Sequence, residues 1–144
     1  METHMTQSRL DKLNASLSTG KLDSVILNPG PTLTYLTGLH FHLMERPVVL
    51  LFAKDQIPAL VLPELELQKV ADFPYQLQVF SYSEDPSEWD NAFRKAAQAL
   101  GLDGKRIGVE PRQLRLLEFN YVKNAAPEAD FPDASDVLAD LRLR

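Results

Sequence analysis

The stretch NPGPTLTYLTGLHFHLMERPVVLLF, residues 28–52, decides how this chain is read. NPGP (28–31) breaks regular structure. Pro31 suits the first turn of a helix and Gly38 suits a left-handed residue at its end, so TLTYLTG is expected to form a short helix. PVVLLFA (47–53) lacks apolar–polar alternation, which predicts a strand buried on both faces. KDQ (54–56) reads as a turn and IPALVL (57–62) as the return strand, giving an antiparallel hairpin with Pro58 at the strand start.

Outward from this segment, helices and strands alternate. Leu10, Leu13 and Leu17 predict an amphipathic helix over about 7–19, closed by Gly20, and SVIL (24–27) a short buried strand. Residues 1–6 receive no structural role and are expected to be a disordered or adventitious start. PELELQKVAD (63–72) reads as a helix and YQLQVFSY (75–82) as an alternating strand. DPSEWDNAFRKAAQALG (85–101) is the clearest helix: Trp89, Phe93, Ala96, Ala97 and Leu100 form its apolar stripe, and Gly101 ends it. KRIGVE (105–110) is expected to be a strand, and Pro111 to open a helix over 111–125. ADFPDAS (129–135) reads as an extended link, with Ser135 or Asp133 capping a last helix. This alternation, with one hairpin, predicts an α/β domain: a three-layer mixed sheet of five to six strands between helices.

The 144 residues fit one domain able to bury a sizeable core. No cysteine is present, which removes disulfides, thiolate metal sites and a Cys nucleophile. The formal charge of −5 argues against binding a phosphate backbone. Apolar runs such as VVLLFA are too short to cross a bilayer, and METHMTQSRL lacks the apolar core of a secretory signal. A cytoplasmic location is expected, with no nucleic-acid and no membrane partner.

The candidate chemistry concentrates in the opening stretch. Of three histidines, His4, His40 and His42, the last two stand two apart, and Glu45 follows closely. On a strand His40 and His42 share a face that a metal could use with Glu45 as third ligand; a bare H-x-H pattern with no second ligand cluster downstream fits a pair of surface or loop histidines better. Glu45 and Arg46 could bind the charged end of a substrate, or pair with one another at the mouth of a strand. No nucleophile elbow, phosphate loop or dinucleotide fingerprint occurs. GLDGKRIG reads as a turn feeding a strand. Glu64/Glu66 and Asp133/Asp136 sit at helix starts, and Arg112 and Arg115 read as a solvated helix face. The residues alone describe an α/β domain without a self-contained catalytic constellation.

Taken in order, Tyr35-Leu36-Thr37-Gly38, Glu45-Arg46-Pro47, Pro63-Glu64-Leu65-Glu66, GKRIGVEP (104–111) and DASDVLADLRLR (133–144) resemble the N-terminal domain of the creatinase/prolidase/aminopeptidase P family over residues 7–144. The resemblance implies a mixed sheet flanked by helices, followed in that family by a pita-bread catalytic domain holding two divalent metal ions. The chain ends where that second domain would begin, so the expectation is a non-catalytic domain with no catalytic residue, metal site or cofactor of its own. Such a domain would shape substrate access and dimer contacts for a proline-directed metallopeptidase, with the catalytic domain of its own or a second subunit as partner, in a homodimer. By position and polarity the residues implied to face that site are His40, His42, Glu45 and Arg46. The alternatives are a stand-alone binding or assembly module, a domain of a creatinase-like amidinohydrolase, and a small metal enzyme using His40, His42 and Glu45.

Overall fold

The computed structural model describes residues 2–41, 45–73 and 76–143. Its centre is a five-stranded sheet in the order β4-β3-β2-β1-β5. The strands are β1 (Ser24–Leu27), β2 (Val49–Ala53), β3 (Ala59–Pro63), β4 (Gln78–Tyr82) and β5 (Ile107–Gly108). β2 runs antiparallel to β1 and to β3, whereas β1–β5 and β3–β4 are parallel pairs. Four strands therefore point one way and β2 alone points back. The expected hairpin is β2–β3, and the mixed sheet flanked by helices is the architecture anticipated from sequence.

Helices α1 (Glu2–Thr19), α2 (Pro31–Thr37) and α5 (Ser135–Leu143) cover one face, and α3 (Trp89–Leu100) and α4 (Leu116–Ala125) the other. Strand parity divides the core. Ile26, Val49, Leu51, Ala53, Ala59 and Val61 meet the α3–α4 layer, whose α3 supplies Ala92, Phe93, Ala96, Ala97 and Leu100. Val25, Leu27, Leu50, Phe52, Leu60 and Leu62 meet Leu13 and Leu17 of α1, Leu33 and Leu36 of α2, and Leu138 and Leu141 of α5. With both faces covered, either parity contributes about 1.5–3 kcal/mol per buried large apolar side chain, which explains the missing alternation in β2.

Several bounds differ from the sequence reading. Helix α1 extends back to Glu2. Residues Glu64–Asp72 form 3-10 turns rather than an α-helix; Leu65 and Leu67 remain exposed there, and only Val70 and Phe73 pack inward. Helix α4 starts at Leu116, not Pro111: Gln113 and Leu114 N–H close a turn on the Glu110 carbonyl, and the extended Arg115 gives its N–H to Asn28 Oδ1. The regular part of β5 is only two residues, but the link after α4 lengthens that edge through parallel bridges Arg106–Asp130 and Val109–Asp133. Among the described residues no helix is long and apolar enough to cross a membrane.

Candidate functional site at the carboxyl ends of the strands

Because β1, β3, β4 and β5 run in one direction, their carboxyl ends and the start of β2 line one edge of the sheet. Asn28 follows β1, Pro47 and Val48 lead into β2, Glu64 follows β3, Ser83 and Glu84 follow β4, and Glu110 follows β5. Ligands of open α/β sheets gather outside such carboxyl ends. Gly38 ends α2, and Pro47, at the far end of the segment that follows, leads into β2 on this edge.

That segment is fixed at its root. Gly38 closes α2 in the left-handed region, φ 74°, and donates its N–H to Thr34 O at 2.7 Å. The Thr37 hydroxyl donates to Leu33 O at 2.8 Å and accepts from Leu39 N–H at 3.0 Å, while Thr34 Oγ1 donates to Leu39 O at 3.0 Å. Beyond this knot His40 is exposed and Phe41 is half-buried, its ring centroid 5.1 Å from the Lys69 ammonium. Glu45 is exposed. Arg46 pairs with Glu84, 38 residues on, and not with its neighbour Glu45. His42 lies outside the described residues.

Under Arg46 the edge is rigid. Buried Tyr82 donates its hydroxyl to Pro47 O at 2.6 Å, and Trp89 donates its indole N–H to Ser83 O at 3.2 Å. The Tyr82 and Trp89 rings stand 5.3 Å apart, and Tyr121 stacks on Phe93 at 4.9 Å. Burial pushes the Tyr82 phenol well above its ordinary range, with the nearby Arg46 guanidinium pulling weakly the other way. Tyr82 is thus a neutral donor that fixes the start of β2.

A second polar cluster lies toward β5. Thr32 Oγ1 donates to Glu110 Oε2 at 2.8 Å with both residues buried. Asn28 accepts from Arg115 N–H at 3.0 Å and donates to Val48 O at 3.4 Å, joining β1, β2 and the start of α4. Arg115 forms a two-pronged pair with Glu118, Nε–Oε1 3.0 Å and Nη2–Oε2 2.6 Å, and Glu118 is wholly buried. This corrects the expectation of a solvated Arg112–Arg115 face: only Arg112 is exposed. Beside Glu110 opens a cleft of about 530 Å³, lined also by Arg112, Gln113, Asp133, Asp136 and Arg142. Hydrogen bonds from Ser135 hold the Asp133 carboxyl below the usual range, a helix-start role as expected.

The structure therefore brings Arg46 to the edge with Tyr82 and Glu84, leaves His40 and Glu45 exposed, and does not join Glu45 to Arg46. Among the described residues no three His, Cys, Asp or Glu converge as a metal-ligand set. The set of His40, His42 and Glu45 includes His42, which lies outside the described residues. Sequence reasoning missed Asn28, Thr32, Glu110 and Glu118. Glu118 did leave a trace: it shares a helical face with Leu114, Tyr121 and Val122, an acid on an apolar stripe.

The family model described as the creatinase/prolidase N-terminal domain matches residues 9–144. A Xaa-Pro dipeptidase of Lactobacillus helveticus is 30% identical over 139 residues, covering 93% of this chain and 36% of that protein. The chain spans 36–37% of the length of the curated relatives it matches. The crystal structure of a proline dipeptidase from Streptococcus pneumoniae superposes with a TM-score of 0.78 at 29% identity, covering 93% of this chain and 96% of that one. Dipeptidase PepE from Mycobacterium ulcerans shares the fold at a TM-score of 0.81 and 24% identity, over 99% of this chain and 38% of that one. The sheet, its strand directions and these matches agree, and the chain belongs to the creatinase/prolidase N-terminal domain family.

Proposed function

We propose that this chain is the non-catalytic N-terminal domain of a Xaa-Pro dipeptidase-type peptidase. In this reading the strand-end edge carrying the Gly38–Pro47 segment borders the active site of a separate catalytic domain and contributes contacts to a second subunit. The observation that carries it is the gathering of Arg46, Tyr82–Pro47 and the Asn28–Arg115–Glu118 network on the single edge where β2 begins. The matched relatives, about two and a half times as long as this chain, support a partner domain. Divalent metal ions and the hydrolytic step belong to that domain.

Arg46 is the residue best placed to meet the carboxylate end of a dipeptide, for which a guanidinium fork is suited. Its present partner is weakly held: Glu84 is 62% exposed, and such surface pairs are worth about 0–1 kcal/mol, so a substrate carboxylate could replace it.

The test uses the two-domain protein and Xaa-Pro dipeptides. Arg46→Ala is expected to lower kcat/KM about tenfold, mostly through KM. Glu84→Ala is expected to leave it unchanged or raise it, because Glu84 competes for the guanidinium. Equal losses in both variants would make the pair a structural staple, and normal kcat/KM in Arg46→Ala and His42→Ala would remove the access role.

A further inference from the structure

At the carboxyl end of β5 the chain parts to opposite faces of the sheet. The residues leaving β5 turn into α4 on one face. The link 129–134 runs parallel beside β5 through the Arg106–Asp130 and Val109–Asp133 bridges and turns into α5 on the other face. Such a parting opens a crevice outside the strand ends, and ligands of open α/β sheets bind in crevices of this kind. Here it is the cleft of about 530 Å³, with Glu110 and Arg112 on the wall that leaves β5 and Asp136 and Arg142 on the wall that follows the link. That volume suits a small-molecule site. Asp136, Ala139 and Arg142 recur every three residues along one face of α5, and the small Ala139 keeps the space between the two charges open.

The two buried acids of this edge have different company. Glu118 is held by both prongs of Arg115. Glu110 is 8% exposed and has the Thr32 hydroxyl on Oε2; among the described residues no donor reaches Oε1 and no cation pairs with the group. A buried carboxylate is stable with a counter-charge or with several donors. Glu110 lines the cleft, and that is where the missing cation can enter. Arg112 and Arg142 are exposed at its rim, and neither takes part in an ion pair among the described residues. Asp133 is already engaged by the Ser135 N–H. We propose that this cleft binds a small zwitterion, a free amino acid or a dipeptide, with its ammonium on Glu110 and its carboxylate on Arg142 and Arg112. The buried acid selects the cationic end, and an exposed guanidinium fork suits the carboxylate. A ligand with one of the two charges leaves the other group unanswered.

The site goes beyond the function proposed above and does not depend on it, since Arg46 is not part of the cleft. Calorimetric titration of the 144-residue chain with L-leucine and with glycyl-leucine should show saturable binding of at least one, with Kd at or below about 1 mM. Which of the two binds more tightly separates a free amino acid from a dipeptide. Leucinamide lacks the carboxylate and N-acetylleucine lacks the ammonium; each should bind at least tenfold more weakly. Glu110→Gln keeps an acceptor for Thr32 and removes the charge, and Arg142→Ala removes a guanidinium. Each should raise Kd at least tenfold while Tm stays near wild type; if Glu110→Gln misfolds, Arg142→Ala decides. The two-domain protein should bind the same probe, again with a loss in the same variants. No saturable binding up to about 10 mM would overturn the proposal. So would one-charge analogues that bind as tightly as the zwitterions, or variants that bind like wild type. Binding by the chain that is lost in the two-domain protein would make the cleft a contact between domains, and would overturn it too.

Discussion

A Cβ at Gly38 would meet no atom within 4 Å, yet its φ of 74° disfavours any side chain. Gly108 is the opposite case: its backbone suits any residue, but a Cβ would lie 2.8 Å from Ala134 Cβ, 2.9 Å from Leu22 Cδ1 and 3.1 Å from Val25 Cγ1. Gly38→Ala should therefore cost about 1–2 kcal/mol from backbone strain alone. Gly108→Ala should cost about 1–3 kcal/mol, and Gly108→Val more, because the crowding grows with volume. Urea unfolding tests this; equal losses for Ala and Val at 108 would remove the crowding argument. Only the first glycine was legible in the sequence. A helix end marks itself locally, whereas the neighbours of Gly108 come from residues 22, 25 and 134, and no local pattern assembles them.

Tyr82 gives the residue scale its pH dependence. Burial raises its folded pKa above the ordinary 10.0. The folded state then retains a proton that the unfolded chain releases, so this contribution is whole below about pH 10 and is lost as pH rises further. Tyr82→Phe should be less stable at neutral pH by about 1 kcal/mol, from the lost bond to Pro47 O, and should lose less than wild type between pH 9 and about 11. Parallel alkaline slopes for the two proteins would contradict this role.

Among the elements, α4 is the instructive one. Its apolar periodicity predicted a helix from Pro111, and the helix starts five residues later because Asn28, 87 residues away, takes the Arg115 N–H. The displaced start also places Arg115 where its side chain clamps buried Glu118. Breaking one side of a buried pair costs about 3–5 kcal/mol; the partial exposure of Arg115 puts Arg115→Ala near the lower end. Arg115→Met with Glu118→Leu should recover most of that loss, since neither charge is then stranded. A double variant no more stable than Arg115→Ala would show that the pair does more than neutralise itself. The strands and the α3 stripe were readable because their burial repeats with their own period. The network at residues 28, 115 and 118 was not, because its partners meet only after the sheet has formed.

At the scale of the molecule, the fold class followed from the alternation of elements, but the edge that collects the polar groups did not. That edge depends on strand direction, and direction is set by pairings distant in sequence, such as Val25 with Gly108. The proposed contribution of Arg46 was legible as a guanidinium suited to a charged end; its partner Glu84 lies just beyond β4, where local sequence gives no hint of it.

The same β1–β5 pairing orders the assembly of the chain in time. The β2–β3 hairpin closes over a few residues around Lys54–Gln56, a microsecond event at small entropic cost. Pairing Ser24 with Ile107 must close a loop of more than eighty residues first, and the Asp23 carboxylate bond to Arg106 N–H spans the same gap. Folding should thus nucleate on β2, β3 and the α3 face, leaving β5 and the 129–134 cover until after the rate-limiting barrier. Leu51→Ala should slow refolding with a φ-value above about 0.5, and Ile107→Val should chiefly speed unfolding, with a φ-value below about 0.3. The reverse pattern would place the nucleus at the parallel seam.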